Sequence, residues 1–306
     1  MACVGFKVDG RPAEDVIGLS RLVESAGLDE MWVCEDLGLA GGIAQVTAAL
    51  SATSRLTVGL GIAPAAVRNP MYLAMELAAV ARISGGRLHA GIGHGEPHWL
   101  TQVGQRPRSL MACLSEVSGT VRDLLDGREV TFAGEHVHLD AVRLQHAPPT
   151  PTPLSLGVRG PKGIALAADL GLGVILAGGS TPDYVARVRR IVGPRARITV
   201  FVWSNVDVDD AIGSSEALRS TVEGALRNPS LASQLGPLYE ADCDLDAIRR
   251  LTVSGDAEAC RAAIDALGEA GADAVVLQPI HGHEEEQLER LADVVALPGI
   301  SPAAVS

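Results

Sequence analysis

Glu96 stands between two histidines, His94 and His98, directly after the run Gly91-Ile92-Gly93. A carboxylate flanked by imidazoles can move protons, and glycines just before it let a backbone approach a flat ligand closely. A second acidic pair, Glu35-Asp36, ends the apolar run Met31-Trp32-Val33-Cys34. Two further stretches suit an anion. Arg159-Gly160-Pro161-Lys162 joins two cations to the backbone N–H groups of a helix start, and Gly178-Gly179-Ser180-Thr181 repeats the layout before Pro182. Each stretch also has a plainer reading. The carboxylates can cap the next segment of chain, Glu96-Pro97 can be a surface turn, and the glycines can serve tight strand-to-helix turns.

His94, Glu96 and His98, joined by His281 and His283, could be considered as ligands of a hydrolytic metal. Pro97 disfavours a helical i,i+4 histidine pair, and the end of the first apolar run carries Lys7 rather than a histidine. No metal is expected, and the histidines read as exposed loop residues.

These groups need elements that bring them to one place. Short apolar runs at 3–8, 31–34, 56–63, 88–93, 154–158, 174–177, 197–206 and 274–277 read as strands, and helical spacing fills the intervals between them. Gly27 and the pair Gly85-Gly86 read as helix stops, and Pro70 as the first turn of a helix. The strands are continuously apolar rather than alternating, which suits a parallel sheet covered on both faces. Eight such strands with helices between them predict a (β/α)8 barrel, one domain over residues 1–306, with insertions after the fourth and seventh strands. In such a barrel the stretches above all fall at the carboxyl ends of strands. An open doubly wound sheet is the rival, but the first turn is Asp9-Gly10-Arg11-Pro12 and carries no dinucleotide fingerprint. The first insertion reads as a helix over 111–125 and a hairpin over 128–144, closed by Pro148, Pro149, Pro151 and Pro153. The second, over 209–252, reads as helical and irregular.

The chain has 306 residues, 47% apolar and 20% charged, with a net charge of −12. That charge argues against nucleic acid and anionic membrane as partners. It leaves room for an anionic small molecule held by local N–H groups. The five cysteines form no CxxC pair and read as reduced thiols of a cytoplasmic protein. The first residues lack a signal-peptide layout, and no run of 18 apolar residues predicts a membrane span.

Several stretches, taken in order, resemble the luciferase-like flavin and deazaflavin monooxygenase and reductase superfamily. They are Ala26-Gly27-Leu28-Asp29-Glu30-Met31-Trp32-Val33, Leu56-Thr57-Val58-Gly59-Leu60-Gly61-Ile62, Arg68-Asn69-Pro70, Ser84-Gly85-Gly86-Arg87-Leu88, Gly91-Ile92-Gly93, Gly157-Val158-Arg159-Gly160-Pro161-Lys162 and Ala270-Gly271-Ala272-Asp273. The resemblance runs from about residue 3 to 295. It implies a TIM barrel that binds coenzyme F420 or FMN at the carboxyl ends of its strands. The compact form looks more like the F420-dependent reductases and dehydrogenases.

The resemblance also implies roles. Gly61 and Ile62, at a position where the family often has a non-proline cis peptide, back the coenzyme ring, with Gly93, His94 and Gly157 beside it. Arg159, Gly160, Pro161 and Lys162, with Gly178, Gly179 and Ser180, hold the phosphate. Glu96, Asp36 and Glu35 are the candidate catalytic groups. The family commonly has histidine where this chain has Asp36, which puts the usual proton donor in doubt. Phe6, His98, Trp99, Trp203 and His281 are expected in the substrate pocket. The activity implied is hydride transfer between deazaflavin C5 and a small organic substrate, pterin-like compounds included. The alternatives are an FMN-dependent monooxygenase and a catalytically impaired cofactor-binding relative. A homodimer is implied too. The substrate itself is set by the insertions near 97–150 and 207–252.

Overall fold

The strands are short because each spans only the wall of a barrel, and apolar because helices cover one face and the barrel interior the other. In chain order they are β1 (Cys3–Val8), β2 (Glu30–Val33), β3 (Thr57–Pro64), β4 (Leu88–Gly93), β5 (Val130–Ala133), β6 (His138–Val142), β7 (Leu154–Gly157), β8 (Gly173–Leu176), β9 (Ile198–Val206), β10 (Thr252–Gly255) and β11 (Ala274–Pro279). The computed structural model describes residues 2–207 and 209–296. The expected domain of residues 1–306 also takes in residues 1, 208 and 297–306, which lie outside the described residues.

The parallel order β9-β11-β1-β2-β3-β4-β7-β8 returns to β9 through the β8–β9 pairing and closes a barrel of eight strands. The barrel expectation is borne out, and the open doubly wound sheet is excluded. β5 and β6 form the antiparallel hairpin expected in the first insertion. Its turn is held by Glu116, whose carboxylate accepts from the N–H groups of Glu135, His136 and Val137.

Two elements depart from the expected pattern. A short helix, Pro97–Gln102, follows β4 directly. β10 pairs in parallel with Trp203, Ser204, Asn205 and Val206 of β9. β8 ends at Leu176, opposite Val200, so the carboxyl half of β9 would otherwise present a bare edge. β10 takes that edge. The second insertion is thereby tied to the barrel wall by main-chain bonds.

Side chains alternate along each strand. Val4, Phe6 and Val8 point outward into the layer between barrel and helices. Inside, Trp32, Ile175, Phe201 and Val276 form one apolar cluster. Phe201 meets Trp32 edge-on at 5.3 Å between ring centroids. The indole leaves no room opposite it: a Cβ on Gly59 would lie 2.2 Å from Trp32. Below this cluster lies a polar layer. Trp32 Nε1 donates to Glu30 at 2.9 Å, and Glu30 is ion-paired with Arg197. His89 lies 4.9 Å from the Trp32 ring, with Nε2 2.8 Å from Ser155 Oγ.

Burial first, and the nearby Arg197 charge second, push His89 down to about 3, so the imidazole is neutral in the folded protein. Its folded value lies below the ordinary 6.5, so the unfolded chain binds more protons as pH falls, and folding stability falls with it. Urea unfolding between pH 6.5 and pH 4 should show a loss of stability approaching about 1.4 kcal/mol per pH unit that His89→Gln lacks. Identical slopes in the two proteins would contradict a buried neutral His89.

Candidate active site

Solvent reaches the barrel interior at the carboxyl ends of the strands. Gly61, Ile62, Gly157, Ala177, Trp203 and Gln278 are half-buried there, whereas His89, Ser155 and Thr199 near the other end are buried. A cavity of about 360 Å³ does open at that other end, lined by His89, Thr152, Ser155, Arg195 and Arg197 among others. Barrel enzymes build their sites at the carboxyl face, from the loops that join each strand to its following helix. The residues singled out for chemistry are at that face too.

The floor of the mouth is Ile62. The Gly61–Ile62 peptide is cis, as expected. The β3–β4 register shifts between Leu60 and Ala63, which turns Ile62 against the Trp32 cluster. A Cβ on Gly157 would lie 2.7 Å from Ile62 Cγ2, and one on Gly93 2.9 Å from Ile62 Cγ1. This corrects the expectation for Gly93 and Gly157. They make room for the Ile62 side chain, and Ile62 presents the apolar surface on which a flat ring could rest.

The carboxylates at the end of β2 part company. Arg68 grips Glu35 with two bonds of 2.6 Å and also reaches Glu76 at 3.2 Å. Both Glu35 oxygens are therefore engaged by the Arg68 guanidinium. Asp36 accepts a 3.4 Å bond from the Cys34 thiol. Burial, then the nearby Asp9 charge, push that thiol up, so it stays protonated. On β1 the inward residue is Lys7, whose ammonium pairs with Asp9 and lies 5.5 Å from the centroid of the Phe201 ring. Gln278 of β11 donates to the same Asp9 carboxylate at 3.5 Å. Phe6 is wholly buried in the outer layer and cannot line a substrate pocket, so Lys7 takes that place.

After β4, Glu96 is exposed at the start of helix Pro97–Gln102, and its side chain does not cap that helix. His98 is exposed and Trp99 half-buried on the same helix. His94 is half-buried, and burial lowers its pKa, so it is neutral near pH 7. His281 is exposed, packs over Gly10 and lies 3.5 Å from Glu284. His283 pairs with Glu286 at 3.1 Å. Trp203 points inward from β9, with a Cβ on Gly178 falling 2.5 Å from its indole.

The two anion loops are joined. Tyr184, on helix Pro182–Val192, donates its hydroxyl to the Arg159 carbonyl. Burial pushes that phenol up to about 12, which keeps it a donor. Arg159 and Lys162 are exposed, and Gly160 is half-buried. Gly178, Gly179, Ser180 and Thr181 are all buried, yet their backbone N–H groups, and that of Gly160, find no hydrogen-bond acceptor among the described residues. Buried N–H groups are almost always paired, so this set could receive hydrogen-bond acceptors from a ligand. The Ser180 hydroxyl is already used, donating to Ala177 O, so only its N–H is available. A phosphate fits this donor set.

Lys7, Asp9, Tyr184, Gln234 and Gln278 carry no site signal that the sequence alone displays. Among the described residues, no three His, Cys, Asp or Glu side chains converge as metal ligands.

A family model described as luciferase-like monooxygenase matches residues 5–274. The 5,10-methylenetetrahydromethanopterin reductase of Methanolobus tindarius is 20% identical in an alignment that covers 93% of this chain and 97% of the relative. An F420-dependent secondary alcohol dehydrogenase, solved with an F420-acetone adduct, aligns with a TM-score of 0.78 at 23% identity, over 96% of this chain and 99% of that one. The oxygenating constituent of 3,6-diketocamphane monooxygenase from Pseudomonas putida, solved with FMN, aligns with a TM-score of 0.75 at 16% identity, over 98% and 99%. At these identities the solved structures show a shared fold.

The packing of Ile62 against the glycines yields a double-mutant test. Gly157→Ala should cost about 1–3 kcal/mol of stability through overpacking. Most of that cost should vanish when measured in an Ile62→Ala background, because the colliding methyl is gone. Additive losses in urea unfolding would show that Ile62 does not occupy the Gly157 space.

Proposed function

We infer, from the premise that this chain belongs to the luciferase-like monooxygenase family, that it is an F420-dependent oxidoreductase. The observation that carries the reading is the set of unpaired N–H groups at Gly160 and at Gly178 to Thr181, beside the open apolar surface of Ile62. Together they match a ligand that is flat and apolar at one end and a phosphate at the other. Bound there, the coenzyme supplies a carbon centre, C5, that accepts and returns a hydride.

The protein's own groups do the rest. Ile62 and the Trp32 cluster beneath it fix the plane on which the ring lies. The N–H groups of the two loops hold the phosphate, and the exposed Arg159 and Lys162 balance its charge. Positioning of ring and substrate face to face supplies most of the rate. Glu96, exposed at the rim of the mouth, takes or gives the proton that accompanies the hydride. Asp36 stays bound to the Cys34 thiol at the second strand. Trp99, Trp203 and Lys7 with Asp9 border the remaining space, which takes a small organic substrate; a pterin is the first class to test.

The phosphate cradle serves FMN equally well, so an FMN-dependent monooxygenase is the second reading. The locked Glu35 and thiol-bound Asp36 favour a third, a relative that binds cofactor without turnover. A homodimer is supported by helix Pro70–Ile83, which exposes three large apolar side chains on its outer face beside Glu76 and Arg82. Leu73, Leu77 and Ala81 are buried, while Tyr72, Met75 and Ile83 are exposed. Free cysteines and the net charge of −12 support a cytoplasmic enzyme with neither nucleic acid nor membrane as a partner. No helix among the described residues is long and apolar enough to cross a membrane.

Titration of the purified protein with F420 and with FMN, followed by tryptophan emission from Trp32, Trp99 and Trp203, should show tighter binding of F420. An oxidised-flavin spectrum retained through purification would overturn the F420 reading in favour of FMN. Light scattering should give twice the chain mass for the wild type and the single chain mass for Met75→Arg. A monomeric wild type would remove the dimer.

A further inference from the structure

Gln234 lies in the second insertion, far in sequence from any strand end, and is 1% exposed. Its amide Nε2 donates to Gly178 O at 2.8 Å, to Ala177 O at 3.0 Å and to Ser180 Oγ at 3.0 Å. Three acceptors around one nitrogen fix the orientation of the amide, because the flipped form would set an oxygen against two carbonyls. The remaining oxygen, Oε1, is buried and unpaired. A buried amide that leaves one of its own groups unsatisfied in order to serve a single loop is unusual.

The geometry has a consequence for the loop. The peptides on either side of Gly178 are trans, since Gly61–Ile62 is the cis bond found among the described residues. In a trans peptide the N–H points opposite to the C=O. With the carbonyls of Ala177 and Gly178 turned toward Gln234, the N–H groups of Gly178 and Gly179 must point away from it. Those are two of the unpaired donors of the anion cradle. Without Gln234, either peptide could rotate and present a carbonyl to the anion. A positive φ of 86° at Gly179 shows that the loop has the glycine freedom to do so.

The insertion is built to hold Gln234 in place. Leu226, Leu235, Ile248 and Leu251 form a small core of their own, with Trp203 packed against it. Trp203 also abuts Gly178 and Gly179 from the barrel side.

We propose that Gln234 is a positioning residue: it orients the Ala177–Gly178 and Gly178–Gly179 peptides so that their N–H groups face the ligand phosphate, making phosphate affinity depend on the second insertion. The proposal rests on the coenzyme reading of the carboxyl-end mouth. It concerns this chain's own loop and is tested by binding rather than turnover.

The test uses two ligand pairs that differ at the phosphate. One is FMN and riboflavin; the other is F420 and its chromophore lacking phosphate and tail. Gln234→Leu should weaken the phosphorylated member of each pair by about tenfold or more and leave the other within about twofold. Gln234→Asn keeps the amide but shortens its reach, and should give the same order with a smaller loss. It serves also if Gln234→Leu does not fold, as judged by circular dichroism. Equal loss for phosphorylated and phosphate-free ligands would reduce Gln234 to a structural residue and overturn the proposal. So would unchanged affinity for all four. If the wild type binds neither phosphorylated ligand, the coenzyme reading itself falls, and this one with it.

Discussion

A closed barrel of eight strands has a fixed and small interior, and in this protein one tryptophan claims the middle of it. Trp32 lies across the barrel with Phe201 against its edge, so Gly59 and Gly61 opposite must lack side chains. Ile62 enters next, and Gly91, Gly93 and Gly157 must do the same. The interior is a set of large residues from a few strands answered by glycines on the others. That exchange decides where space remains. Below the tryptophan lies a polar layer around Glu30, Arg197 and His89, bordered by the cavity at the amino-terminal ends of the strands. Ile62 itself is half-buried at the carboxyl ends of the strands. The location of the mouth is thus a result of core packing.

The electrostatics of the site show a similar economy. The chain carries a net charge of −12, yet its candidate ligands are anions. Side-chain cations are few at the mouth, and Lys7 is already paired with Asp9. Attraction is left to backbone N–H groups at two helix starts, which bring positive potential without changing the net charge. Such donors work only if they are aimed and unpaired. Tyr184 and Gln234 supply the aim, each by holding a carbonyl on the far side of a peptide plane.

The barrel is legible in the sequence because eight short apolar runs separated by helical periods admit few architectures. β10 is not, because its four residues continue the pattern of the preceding helix and gain strand geometry only from the bare upper edge of β9. The phase of β1 is also hidden. In the run Cys3–Val8 nothing local tells Phe6 from Lys7 as the inward residue, and the answer comes from Val276 packing on Gly5. The glycines at 93 and 157 do signal close approach, but the approaching group is Ile62, brought there by the bulge in β3. The loops at 159–162 and 178–181 are legible from composition as candidate anion sites. Their orientation depends on Tyr184 and Gln234, the second of which is remote in sequence and makes contacts that no local pattern encodes.

The central claim is that the carboxyl-end mouth, and not the cavity at the opposite end of the barrel, receives a phosphate-bearing coenzyme. A crystal structure of the protein grown with F420 or FMN tests it directly. The expected result is a ring resting on Ile62 with its phosphate within hydrogen-bond distance of the N–H groups of Gly160, Gly178 and Gly179. A coenzyme phosphate bound instead beside Arg195 and Arg197 in the cavity at the amino-terminal ends of the strands would contradict it.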